Sequence, residues 1–306
     1  PKKSVYLPPT VEQIFARRPP VLLETMVFSR DSSAKGQMYR TIRCGLSSLE
    51  EANSKGKTAL MESPQKKRPQ NFFLSLLMRK MRDTTMRLIY AHAKLTDARR
   101  TILPRKVLTQ VQRGAHNYEY RGIRCIKNPF DLAIYLKVLW EMKPRTIFEI
   151  GSASGGSAKF FADQTAVLGL DTMVYSFDIK AVKGLDEDRL RFFEADIHNL
   201  EKSAIPDLLR HAERPILVID DGPHTFEGCR ASLDFFHPFL SAGDQFVVED
   251  GNLRDLGYLE YQDGPNRAIK EFLGKRGGDY EIAYDYCDTF GQNATWNTDG
   301  YLRRVR

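Results

Sequence analysis

Apolar residues follow two textures along the second half of this chain. Short unbroken apolar runs, bounded by Gly, Pro, Asp or Asn, alternate with longer stretches in which apolar residues recur every three or four positions. The first texture reads as strands buried on both faces, the second as amphipathic helices. The runs predict strands at 146–150, 173–178, 191–195, 215–220 and 244–249. The periodic stretches predict helices at 130–142, 156–168, 186–190, 200–211, 226–239 and 265–275. Asn128-Pro129 opens the first helix and Pro144 stops it. Strands separated by helices mean βαβ units, so the fold class expected is α/β, a doubly wound, mostly parallel sheet. Residues 280–305 (YEIAYDY, then NTDGYLRRV) read instead as a closing antiparallel hairpin.

Upstream the pattern weakens. Pro8-Pro9, Pro19-Pro20 and the polar run SSLEEANSKGK break any periodicity in the first 70 residues. An irregular arm is expected there, with short helices around 10–17 and 37–52. Asn71 to Arg100 regains helical spacing through Phe72, Leu76, Leu77, Met81, Leu88 and Ile89, and Pro104 closes or kinks the run. The expected division is therefore a mainly helical N-terminal extension, 1–114, followed by the α/β domain, 115–306. The apolar stripe needs a surface to bury it, so 71–124 should lie against the sheet or a neighbouring subunit and help form an entrance. A homo-oligomer is expected on the same ground.

Composition narrows the class. Hydrophobic residues make up 42% and charged residues 28% of the 306, enough for a packed core. No stretch reaches the ~18 consecutive apolar residues of a membrane helix, which excludes an integral span. The first residues offer no apolar signal region. Four scattered cysteines (Cys44, Cys125, Cys229, Cys287) exclude a zinc knuckle or disulfide scaffold and fit a reducing, cytoplasmic setting. The net charge of +7 is uneven: 66–124 carries 15 basic against 3 acidic side chains, and 125–306 carries 21 against 30.

Candidate chemistry begins where the first strand ends. Phe148 to Ser157 reads FEIGSASGGS. Glycines let the backbone turn and approach a ligand, and a new helix presents free N–H groups. The dinucleotide fingerprint G-x-G-x-x-G is absent, and no Gly-Lys-Ser/Thr follows, so neither that site nor a P-loop is present. Asp178 ends the next strand, where an acid can accept ribose hydroxyls. Asp196 follows the third, where an acid can accept an adenine amine. Together they suggest S-adenosylmethionine. Capping a helix or turn is the other reading of Asp178 and Asp196. The expected cofactor set is Glu149, Gly151, Ser152, Gly155, Ser157, Asp178, Asp196 and Asp220.

Two later strands each deliver paired acids: ILVIDDGPHT (216–225) and FVVEDGN (246–252). In a parallel sheet their ends face one crevice. Asp221, Glu249 and Asp250 could converge there, and no Arg or Lys lies close in sequence to neutralise them. A hard divalent cation such as magnesium resolves the repulsion. His224, three residues past Asp221, is well placed to take a proton from a hydroxyl. His224 and Asp221 are the catalytic candidates. Asp-Asp-Gly-Pro is also a good turn in its own right.

FEIGSASGGSA, FDIK, IDDGPHT and VVEDGN, in this order, resemble the class I methyltransferases grouped with cephalosporin hydroxylase-type proteins, a group that includes rhamnosyl O-methyltransferases. DDGPH is similar to the DDGSH of macrolide-sugar O-methyltransferases, and KNPFDLAIYLKVLWEMKPRTIFEIG matches the group's entry into its first strand. The resemblance spans roughly 115–275. It implies a Rossmann-like methyltransferase fold, S-adenosylmethionine, usually Mg2+, ligands at Asp221, Glu249 and Asp250, and His224 as base. Pro223 departs from the group's Ser or Asp, removing a backbone donor before the histidine.

The reading is a divalent-metal-dependent O-methyltransferase acting on a hydroxyl of a small molecule, a sugar or natural product. The alternative is a nucleic-acid-directed methyltransferase using the basic 66–124 segment, against which stands the lack of an Asn/Asp-Pro-Pro-Tyr element. A third reading is a degenerate fold serving as an assembly or membrane-surface module; the intact acid set speaks against it.

Overall fold

The computed structural model describes residues 98–306. Expectations placed on 1–97, including the short helices and nearly all of the basic helix, lie outside those residues. Ala98 to Arg100, the end of that expected helix, are not helical.

The first described helix is α1 (Arg105–Ala115), with Pro104 at its N-cap. A small hairpin follows, β1 (Glu119–Tyr120) and β2 (Ile123–Arg124). Its turn uses Arg121 (φ 52°) and Gly122 (φ 78°), both left-handed, as a two-residue hairpin loop requires. Neither element stood out in the sequence, and α1 runs across the division expected at 114/115. Then come α2 (Pro129–Met142), β3 (Thr146–Ile150), α3 (Gly156–Val167), β4 (Met173–Asp178) and β5 (Leu190–Glu194). The second half holds α4 (Ile205–His211), β6 (Ile216–Asp220), α5 (Phe226–Phe236), β7 (Gln245–Val248), α6 (Leu253–Leu256), α7 (Gly264–Arg276), β8 (Tyr280–Ile282), α8 (Tyr284–Cys287) and β9 (Tyr301–Arg304).

Seven strands form one sheet in the order β5-β4-β3-β6-β7-β9-β8. Every strand runs parallel except β9, which is antiparallel to both neighbours. β3, β6 and β7 are buried along their whole length, which is why they read as continuous apolar runs. Alternate residues serve opposite faces. Phe148, Val218 and Phe246 pack with Leu209, Phe236 and Phe272 of α4, α5 and α7. Ile147, Leu217 and Val247 pack with Tyr135, Val138 and Phe161 of α2 and α3. The chain leaves β3 for β4 on one side and later returns to place β6 on the other. The strand order reverses at β3/β6, and the crevice beyond their carboxyl ends is where this topology binds ligands.

Three expected helices are corrected. Residues 186–190 form no helix: Glu187 and Leu190 pair in an isolated bridge, and Asp186 Oδ1 accepts from Phe192 N. A five-residue stretch cannot repay helix nucleation on its own. The helix expected over 200–211 divides into a 3-10 segment, Ile197–Lys202, and α4, with Pro206 in the first turn of α4. The helix expected over 226–239 ends at Phe236 and continues as a 3-10 turn holding Pro238, which cannot donate to the ladder. The closing strands do pair antiparallel, but a long segment, residues 283–300, separates them instead of a tight turn.

α2 starts as expected. Asn128 accepts from Phe130 N at 3.1 Å, with Pro129 in the first turn, and Lys143 (φ 49°) ends it before Pro144. Asn128→Ala is expected to lower stability by ~1 kcal/mol, read as a drop of a few degrees in Tm. An unchanged Tm would show that Pro129 alone fixes the start. Among the described residues no helix is long and apolar enough to cross a membrane.

Candidate active site

The Gly-rich loop and the Asp221 loop meet at the switch point. Gly151 sits at φ 103°, and a Cβ there would collide with the Asp221 carbonyl. Asp221 N donates to Ile150 O at 2.8 Å, and Gly151 N to Phe177 O at 2.7 Å. Side chains are therefore excluded from a backbone junction of three strands, which a glycine alone tolerates. A cavity of about 710 Å³ opens above it.

Of the expected cofactor residues, Gly151, Asp178 and Asp196 line this cavity. Asp178 Oδ2 accepts from Ala153 N at 2.8 Å and Oδ1 from Ile179 N at 2.7 Å. Each oxygen keeps a second lone pair. Asp196 caps the 3-10 segment, accepting from His198 N at 2.9 Å and from Asn199 Nδ2 at 3.1 Å. These bonds hold its carboxyl below its ordinary range. The others lie beneath the loop. Ser152 Oγ and Ser176 Oγ are 2.7 Å apart, and Ser176 donates to Glu149 Oε2 at 2.5 Å. Gly155 packs against Leu185 and Phe192, and Ser157 is buried in the first turn of α3. Asp220 is buried too, accepting from Gly222 N at 3.2 Å, and burial pushes its carboxyl up to about 7.

The acid cluster sits at the tips of β6 and β7, joined by Glu249 N donating to Asp220 O at 2.9 Å. Asp221, His224 and Asp250 each offer one ligand atom, all within 4.8 Å of one another. His224 Nε2 lies 3.2 Å from Asp250 Oδ2 and 3.9 Å from Asp221 Oδ1. Burial works to lower the imidazole pKa, but Asp250, then Asp221, outweigh it and hold it above its ordinary value. Burial raises both of those carboxyls. Ala153 (φ 44°), His224 (φ 54°) and Asp250 (φ 60°) all line the cavity with left-handed backbones. Such conformations in non-glycine residues cluster at functional sites.

Glu249, expected beside these ligands, is turned away from the trio. Its Oε1 accepts from Lys127 Nζ at 2.7 Å and from the Tyr135 hydroxyl. Burial pushes it up to about 7. Lys127 Nζ also reaches Asp221 Oδ2 at 2.7 Å. The acids therefore do have a neutralising cation, one that lies 94 positions from Asp221 and not close in sequence. Lys127 stands in the KNPFD segment just before α2, and α2 also supplies Tyr135. Sequence reasoning missed the remaining walls as well. Gln112 of α1 and His116 just after it, with His198, Tyr258, Tyr261 and Trp296, line the cavity. Tyr258 donates to Gln112 Oε1 at 3.0 Å across it.

Known proteins resemble this chain in sequence and in fold. The family model for rhamnosyl O-methyltransferase/CmcI matches residues 112–305. A rhamnosyl O-methyltransferase of Mycobacterium leprae is 34% identical over 194 residues, 60% of this chain and 82% of that one. Its counterpart in Mycobacterium tuberculosis is 31% identical over 194 residues, 60% of this chain and 77% of that one. A solved structure of CmcI with Mg and SAM is 29% identical, covers 69% of this chain and 88% of its own, and superposes with a TM-score of 0.51. The fold, the crevice and these relatives define an S-adenosylmethionine-dependent O-methyltransferase. The chain belongs to the rhamnosyl O-methyltransferase/CmcI family.

Proposed function

We propose that this protein moves the methyl group of S-adenosylmethionine to a hydroxyl of a sugar or natural product, with a divalent cation, magnesium, at the acid cluster. The observation that carries the reading is the convergence of Asp221, His224 and Asp250 beside the Gly151 loop in one cavity. The residues fit such an ion. Carboxylate oxygens suit magnesium. Asp220, Asp221, Glu249 and Asp250 crowd together beside Lys127, and burial first, then the charge of Asp221, raises the carboxyls of Asp220 and Glu249. Asp221 and Asp250 would hold the ion, with Glu249 as the third carboxylate. When bound, the ion would supply Lewis acidity that eases loss of the acceptor's proton.

The chain's own residues do the rest. His224 faces the cavity from a half-buried position, and its Nε2 takes the hydroxyl proton as the oxygen attacks the sulfonium methyl. Asp250, 3.2 Å away, fixes the ring and stabilises the charge it acquires. The glycine at 151 lets the donor approach the backbone, and Asp178 offers its free lone pairs to the ribose hydroxyls. Gln112, Tyr258 and Trp296 would shape the acceptor side and keep water out.

Labelled S-adenosylmethionine incubated with hydroxylated sugars and natural products tests this reading. Label recovered as a methyl ether is the expected result; label recovered on nitrogen or on nucleic acid would sink it. Asp178→Ala should weaken donor binding at least about tenfold by calorimetry, because charge-assisted bonds of ~1.5–3 kcal/mol are lost. Unchanged affinity would move the donor pocket elsewhere.

A further inference from the structure

Lys127 is 2% exposed, and its Nζ stands 2.7 Å from both Asp221 Oδ2 and Glu249 Oε1. Its backbone is fixed by the start of α2, where Asn128 caps and Pro129 follows. Lys127 also lines a second cavity of about 360 Å³ between α1 and α2, with Val111, Gly114, Ala115, Tyr118, Pro129 and Leu132. That lining holds no carboxylate, and the ammonium's contacts are with Asp221 and Glu249. It is committed to two of the three carboxylates to which metal binding is assigned above.

We infer that Lys127 is a resident counter-cation that shares Asp221 and Glu249 with the divalent ion, holding both carboxylates in place before loading and weakening the ion's binding enough for exchange. The inference rests on the metal reading above. A buried and a half-buried carboxylate that share one ammonium would repel one another without it, and the ammonium between them offsets that. The same ammonium repels a dication a few ångströms away, and low dielectric strengthens the repulsion. Lys127 is therefore a positioning residue, acting through the acids. The sign of one measurement separates this from simple packing. A lysine that only builds the site would, once removed, scatter the ligands and weaken metal binding. A counter-cation, once removed, leaves the acids to the metal alone and tightens it.

The test is a titration of Mn2+ alone into chelator-stripped protein, followed by the paramagnetic signal of the free ion, with Tm measured in chelator. Lys127→Met keeps the length of the stem, and Lys127→Gln also keeps a donor for the acids and serves if the methionine variant does not fold. Either variant should bind Mn2+ at least about tenfold more tightly than the wild type. Tm in chelator should fall, and Mn2+ should restore more of it than it adds to the wild type. Saturable wild-type binding with unchanged or weaker binding by the variants would overturn the inference alone. No saturable binding by the wild type would overturn the metal reading and the inference together.

Discussion

Asp250→Asn is expected to lower turnover by at least about 10³-fold while donor binding stays within about twofold. The substitution is chosen for its backbone. Asp250 sits at φ 60°, and asparagine is among the residues that tolerate that region, so the loop should stand. What changes is charge: one of the two carboxylates facing His224 becomes neutral. The ion proposed at this cluster loses an anionic ligand, and the imidazole loses the partner that stabilises its protonated form. Excess chelator should reproduce the loss of rate in the wild type without removing the donor, because Asp178 and the Gly151 loop lie on other strands. Full activity in chelator would point to a metal-independent methyl transfer. Donor affinity that collapses along with the rate would show that the two halves of the cavity are not separable.

His224→Ala should lower the rate by ~10²–10⁴, the usual range for losing a general base, with donor and metal affinity retained. The residue's φ of 54° complicates alanine, which pays a penalty of roughly 1–2 kcal/mol there. His224→Asn therefore belongs in the same experiment. It tolerates the backbone but cannot take up a proton. Equal loss in both variants assigns the effect to proton transfer. Loss in alanine alone would mean that the ring only shapes the loop, where it lies 6.3 Å from the ring of Tyr261.

The sheet was legible because its strands are buried on both faces. β3, β6 and β7 leave no polar residue between their apolar ones except Glu149, and their ends carry the glycines and acids that mark the crevice. Helix breaks were less legible. Pro206 and Pro238 were in plain view, but the periodicity of their neighbours masked them. The site divided along the same line. Asp178, Asp221, His224 and Asp250 follow directly from strand ends, so position in sequence predicted position in space. Lys127 arrives from a turn before α2, and its partnership with Asp221 spans 94 positions. Nothing local marks such a residue. Glu149 shows the opposite error: it stands in the right motif, but an inward-facing strand position buries it under the loop with Ser176.

The cavity is assembled from two kinds of chain. Its acids and glycines stand on the tips of β3, β4, β6 and β7, which are pinned by the hydrophobic core. Its remaining walls come from α1, from the stretch around Tyr258 and Tyr261, and from Trp296 in the long segment between β8 and β9. Those pieces tolerate replacement far better than the strands do. Lineages descended from such a scaffold can exchange the walls and so acquire new acceptors, while the machinery that moves the methyl group is inherited intact.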